Sequence, residues 1–141
     1  MSTSKEIKDF INLGIVINNK KEVLMICRKD KEAAKDGAVL EWCFPGGKQQ
    51  LGESRKESVK RGVLAKTGYD VEPTKEISLR VHPQILVFIV YHLCKLNSEK
   101  PIAKPKEAYK VTEIKWVKKQ EIKNLVTTNL DEKVSQELGL N

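Results

Sequence analysis

The sequence has no apolar run approaching the roughly 20 residues that cross a bilayer. Its first residues, Met1-Ser2-Thr3-Ser4-Lys5-Glu6, bring no apolar stretch ahead of a small-residue cleavage site. No signal peptide is read there, no membrane partner is expected, and a cytoplasmic location follows. Cysteine is sparse: Cys27, Cys43 and Cys94 are odd in number, widely spaced and each set in an apolar segment. That pattern argues against a disulfide or metal framework and for buried free thiols. Aromatic residues make up only 6% of the chain, and nowhere do they interleave with arginine as a dedicated single-strand nucleic-acid groove requires. Repeats, low-complexity tracts and linkers are also missing, so the 141 residues are expected to form one domain, 1–141, around one core.

Positive charge is plentiful, 26 Lys and Arg against 19 Asp and Glu, for a net charge of +7. The excess runs through Lys20-Lys21, Lys104 to Lys110 and Lys115 to Lys123. Such a balance suits polyanionic partners, among them nucleotides, RNA or acidic protein surfaces; the plainer reading is a lysine-rich solvated surface.

Periodicity sets out the elements. Phe10 to Ile17 and Glu22 to Cys27 are β-rich runs around Asn18-Asn19-Lys20-Lys21, which predicts a hairpin. Arg28 to Gly37 is charged or small throughout and predicts a surface loop. In Val39 to Gly47, Pro45 ends a strand and Gly46-Gly47 permits a tight turn. Ser54 with Glu57 three residues on is a capping-box pattern, and Gly68 suits a left-handed helix end, so a helix is predicted over Ser54 to Thr67 with Val59, Val63 and Leu64 in its apolar stripe. Strands are predicted at Lys75 to Val81, at Ile85 to Leu96 (central) and at Val111 to Val117, with His82-Pro83 as a break and Asn97 to Lys106 as a loop. Short helices follow near Gln120 to Leu125 and Leu130 to Leu138, the latter with Asp131 or Asn129 as its cap.

Residues Gly46 to Tyr69 read G-G-K-Q-Q-L-G-E-S-R-K-E-S-V-K-R-G-V-L-A-K-T-G-Y. This resembles the Nudix box, G-x5-E-x7-R-E-U-x-E-E-x-G-U with U apolar, and Gly47, Glu53, Arg61, Val63 and Gly68 fall in register. The approach W-x-F-P-G-G (Trp42 to Gly47) and the later E-I-x-W-V (Glu113 to Val117) are similar to the same family. Arg80-Val81-His82-Pro83 with Tyr91 looks like a subgroup of small Nudix nucleotide hydrolases. The resemblance implies an α/β (α+β) Nudix fold, a mixed sheet between helices, in which the loop after the first hairpin borders the substrate pocket.

It also implies a chemistry. Nudix enzymes hydrolyse nucleoside diphosphates linked to another moiety, using Mg²⁺ or Mn²⁺ to neutralise charge and activate water, and such hard cations want oxygen ligands. Three glutamates at positions 62, 65 and 66 would share one helix face. This sequence has Gly62, Ala65 and Lys66 there, a formal change of +4 against the family pattern: three carboxylates lost and one ammonium gained. An inward-pointing Lys66 opposes a dication by an amount on the order of several kcal/mol. Glu53 is the remaining box carboxylate and a weak metal candidate. Glu57 is a further metal candidate, although the cap claims it. Glu107 and Glu113 are the candidate bases or ligands outside the box, Glu113 also fitting a solvent-facing strand position. Arg61 is carried over as a structural partner of a box carboxylate. Gly62 costs about 1 kcal/mol against Ala inside a helix, which points to close packing, pocket room or drift. Gly46, Gly47, Trp42, Phe44 and His82 are candidate substrate contacts; Trp42, Phe44 and Trp116 also read as core residues, and His82 as a turn residue.

The expected function is a Nudix-fold protein that binds a nucleoside-diphosphate-type ligand, with metal-dependent pyrophosphohydrolase activity lost or strongly weakened. One alternative is an active hydrolase with metal ligands partly from outside the box. Another is an RNA- or protein-binding pseudo-enzyme, and a third is an enzyme deliberately inactivated after Arg61. Dimers are a family habit, and no interface can be read here.

Overall fold

The computed structural model describes residues 9–33, 39–81, 86–126 and 130–140. Two β-rich runs pair as expected, β1 (Asp9–Ile17) with β2 (Glu22–Ala33), antiparallel across the turn at 18–21. Then follow β3 (Val39–Cys43), β4 (Gly46–Lys48), α1 (Arg55–Thr67), β5 (Val71–Val81), β6 (Val87–Leu96) and β7 (Val111–Lys118). Two short helices close the described chain, α2 (Ile122–Leu125) behind a 3-10 turn and α3 (Glu132–Glu137). Asp131 caps α3, its carboxylate accepting from Lys133 and Val134 N–H, whereas Asn129 lies outside the described residues. None of the helices among the described residues is long and apolar enough to cross a membrane.

The strands make one mixed sheet in the order β3-β2-β1-β6-β5, with β4 added to β1 and β7 added to β2. Only β1 and β6 run parallel; the remaining pairs are antiparallel. Because side chains alternate across a strand, neighbours feed opposite faces. Ile15, Val23 and Met25 join Phe44, Tyr91, Ile122 and Val134 in one cluster. Val16 and Leu24 join Val59, Val63, Val71 and Cys94 in the other. The sheet is therefore covered by α1 on one face and by α2 and α3 on the other, the layered α+β arrangement expected from the sequence.

Three expectations need correction. The surface loop placed at Arg28 to Gly37 is strand as far as Ala33, because β2 continues its ladder against β3 through Glu32 opposite Leu40 and Ala33 opposite Val39. Main-chain ladder bonds need no apolar face, so charge alone did not mark a loop. Gly46-Gly47 is not only a turn: it forms β4, with Gly47 opposite Asn12 and Gly46 opposite Leu13. Finally, Cys27 and Cys94 are buried free thiols but Cys43 is half-buried. Burial pushes the Cys94 thiol up to about 12, so it is inert as a nucleophile near neutrality.

Candidate functional site

The site is built where α1 lies on β1 and β4. Ser54 starts the helix as a full capping box, accepting from Glu57 N–H at 3.1 Å while the Glu57 carboxylate accepts from Ser54 N–H at 2.9 Å. Gly68 ends it in the left-handed region, φ 81°, donating to Leu64 O. Glu57 is thus exposed and occupied at the cap, at the far end of the helix from Lys66.

Glu53 stands just ahead of that cap, and Arg61 returns two turns later to meet it. Arg61 Nε donates to Glu53 Oε2 at 2.5 Å and Arg61 Nη2 to Oε1 at 3.1 Å. The same Nη2 donates to Lys48 O at 2.9 Å, and Glu53 Oε1 also accepts from Gln50 N–H at 2.8 Å. The Arg61 guanidinium holds the Glu53 carboxyl below its ordinary range. Arg61 is therefore paired with Glu53, and both oxygens of that carboxylate are committed to it and to the loop.

Positions 62, 65 and 66 each do something other than hold a metal. A Cβ on Gly62 would stand 2.7 Å from Gly46 C and 2.8 Å from Gly47 N, so glycine is what lets α1 touch β4. Of the three explanations open at that position, close packing is the one the geometry selects. Ala65 is buried, and its carbonyl accepts from Glu107 N–H at 2.8 Å, docking the 97–110 loop on the helix end. Lys66 turns inward: its ammonium donates to Gly46 O and sits 3.7 Å from the Glu107 carboxylate, which also pairs with Lys110 at 2.9 Å. Burial lowers the Lys66 pKa, and Glu107 opposes that shift. The Glu107 carboxyl is itself held low, first by its bond from Lys110.

One main-chain carbonyl and one carboxylate converging on a cation make an oxygen environment of the kind a hard metal ion uses. Here a fixed ammonium occupies it. Among the described residues no group of three or more His, Cys, Asp or Glu could hold a metal ion. Glu53 is tied to Arg61, and Glu107 faces two ammonium groups. The donor set that the described residues offer does not fit Mg²⁺ or Mn²⁺.

The remaining candidates separate. Gly47 borders the ammonium, its missing Cβ 3.2 Å from Lys66 Nζ. Phe44 is buried, edge-on to Tyr91 at 6.2 Å between centroids, and belongs to the core. Trp42 is half-buried at the margin of that cluster, and Trp116 donates its indole N–H to Tyr69 Oη at 3.0 Å. Glu113 is exposed on β7, opposite Cys27 of β2, and His82 lies outside the described residues.

A polar relay beneath the site was not read from the sequence. His92 Nε2 and Asn12 Oδ1 are 2.9 Å apart, Asn12 Nδ2 donates to Gln49 Oε1 at 3.0 Å, and Gln49 Nε2 donates to Glu53 O at 3.0 Å. With its amide nitrogen given to Gln49, Asn12 accepts through oxygen, which puts the His92 proton on Nε2. Both residues are essentially inaccessible to solvent, and burial lowers the His92 pKa. The available signal was a polar residue inside each of two apolar runs, F-I-N-L-G and V-Y-H-L-C.

A mixed sheet between helices, a Gly-Gly strand feeding a capped helix, and an arginine returning to the glutamate before it define an α/β sandwich of the Nudix type. The NUDIX domain family model matches residues 10–138, and the chain belongs to that family. It is 33% identical over 70 residues to a putative 8-oxo-dGTP diphosphatase of Bacillus subtilis (strain 168), a match covering 50% of this chain and 42% of that one. The fold is shared with the MutT protein of Methanosarcina mazei Go1, at TM-score 0.63 and 23% identity over 92% of this chain and 89% of that one. A NUDIX hydrolase from Nitrosomonas europaea superposes with TM-score 0.71 and 18% identity over 93% of this chain and 70% of that one.

Proposed function

We propose that this Nudix domain, acting as a single cytoplasmic domain, binds a nucleoside diphosphate or triphosphate beside β4 and α1 without a divalent cation. In this reading pyrophosphohydrolase turnover is lost or strongly weakened. The observation that carries it is the Lys66 ammonium held between Gly46 O and Glu107. An ammonium supplies positive charge to a phosphate, but it cannot bind a water molecule as a Lewis acid and lower its pKa. The nucleotide class draws on the family and on the Bacillus subtilis relative, which is named for a nucleotide.

A second reading is an active hydrolase with metal ligands partly from outside the box. It draws on Glu107, which reaches the neighbourhood of position 66, and it requires the Lys66 ammonium to leave and Glu53 to be released from Arg61. One experiment separates the two. Nucleotide binding is measured by calorimetry in EDTA, and phosphate and pyrophosphate release is followed with Mg²⁺ and then Mn²⁺. Binding in EDTA that Lys66→Ala weakens, with no release, supports the first reading. Metal-dependent release that Glu53→Gln and Glu107→Gln abolish establishes the second, and no binding in either condition removes both.

A further inference from the structure

We propose that the pole of the sheet opposite β4 carries a second anion site, formed by Lys20, Lys21, Lys118 and Lys119, whose ligand is a run of linked phosphates. The proposal is independent of the nucleotide reading. Asn12 on β1 faces Gly47 of β4, whereas the turn at 18–21 begins beyond Ile17, roughly 17 Å further along the strand.

At that pole a depression of about 460 Å³ is lined by Lys20, Lys21, Glu22, Lys118, Lys119 and Gln120. The antiparallel register of β2 and β7 sets Glu22 opposite Lys118 and so brings the two lysine pairs together. Among the described residues none of the four lysines has an ion-pair partner, a state shared with other surface lysines such as Lys56, Lys95 and Lys115, whereas Lys48, Lys66, Lys75 and Lys110 have one each and Lys60 has two. What sets the four apart is that they converge on one depression. Glu22 lies in the same lining, its carboxylate accepting from Asn18 Nδ2 at 3.0 Å, and offsets one of the four positive charges, which leaves an excess of three. The other acid tied to this turn is Glu99, which accepts from Asn19 N–H at 3.2 Å. An excess of positive charge in a concave surface focuses the field on an anionic ligand.

The turn is also built rigidly. Asn18 Oδ1 accepts from Lys20 N–H at 3.0 Å and from Glu22 N–H at 2.8 Å, and Lys21 N–H donates to Asn18 O at 3.0 Å. In that turn Lys21 is held at φ 62°, the only positive-φ residue other than glycine among the described residues. A lysine is disfavoured there, and glycine would adopt the same backbone freely. The chain keeps a charged side chain where backbone economy favours none, which points to use of the charge. The lining contains no aromatic residue on which a base could stack, so recognition stops at the phosphates. A phosphodiester strand and free polyphosphate share that chemistry.

The test is anisotropy of a labelled oligo(U) strand, with inorganic tripolyphosphate and a poly-glutamate peptide as competitors, across a salt series. Each single-strand phosphate contact contributes about −0.7 to the slope of log affinity against log salt. Lys118→Gln with Lys119→Gln is therefore expected to make the slope shallower by about 1.4 and weaken binding at least tenfold. Lys104→Gln with Lys106→Gln, elsewhere on the surface, is expected to leave it unchanged. Lys21→Gly should raise the melting temperature while weakening oligo(U) binding; were Lys21 only a turn residue, the first change would occur without the second. Tripolyphosphate binding seen directly by calorimetry, with no change in oligo(U) anisotropy, assigns free polyphosphate as the source. The proposal is overturned if the four-fold Lys→Gln variant binds both phosphate probes as the unaltered protein does, if neither probe binds, or if poly-glutamate competes equally well.

Discussion

Gly62 and Gly46 meet backbone to backbone: the Cβ that Gly62 lacks would stand 2.7 Å from Gly46 C and 3.0 Å from Gly46 Cα. In a free helix Gly62→Ala would gain about 1 kcal/mol in propensity. Here the methyl group meets main chain, which cannot rotate aside, and overpacking of that kind costs about 1–3 kcal/mol. The net expectation for Gly62→Ala is a loss of about 1 kcal/mol, within a range of about 0–2, in urea unfolding. A midpoint raised by the full propensity gain of about 1 kcal/mol would mean that α1 and β4 are not in contact as described. Restoring the family glutamate at this position consequently tests packing before it tests chemistry.

Position 66 is the better place to reintroduce a carboxylate. Lys66→Glu removes the ammonium from between Gly46 O and Glu107 and leaves a carbonyl and two carboxylates around the same space. Saturable Mn²⁺ binding in the range of about 0.1–1 mM, followed by electron paramagnetic resonance, is expected for such a weak oxygen site. Lys66→Met should show none, and Glu107→Gln added to Lys66→Glu should weaken it about tenfold. If the folded Lys66→Glu variant takes up no Mn²⁺, the ammonium does not stand in a cation position, and the metal-free reading of the pocket loses its main support.

The parts of this molecule legible in the sequence are those fixed by short-range patterns. Ser54, Glu57 and Gly68 gave the limits of α1 because caps are set by residues a few positions apart. The β1 and β2 pairing followed from alternation around Asn18. What could not be read depends on contacts distant along the chain. The antiparallel addition of Gly46–Lys48 to β1 needed the register of a strand more than 30 residues earlier. The place of Glu107 beside Lys66 depended on a loop docking through Ala65 O. Gly62 was visible as an anomaly, and only the approach of β4 explains it.

His92 carries the last prediction. Its imidazole is buried against Asn12, and burial holds its pKa below the ordinary 6.5. The unfolded chain therefore takes up a proton on His92 before the native protein does, so this contribution to stability is fully present above 6.5 and falls as the pH drops through the folded value. Glu53, also lowered but from 4.5, contributes a separate loss that begins below that value. His92→Gln keeps an N–H for Asn12 Oδ1 and does not titrate. Equilibrium urea unfolding across acid pH is expected to lose the first step in His92→Gln and retain the second, whereas Glu53→Gln should do the reverse. A native protein whose stability is flat from neutrality down to 4.5 would show that His92 is not sealed under the box loop. In that case the relay through Asn12 and Gln49 to Glu53 does not hold the loop in place.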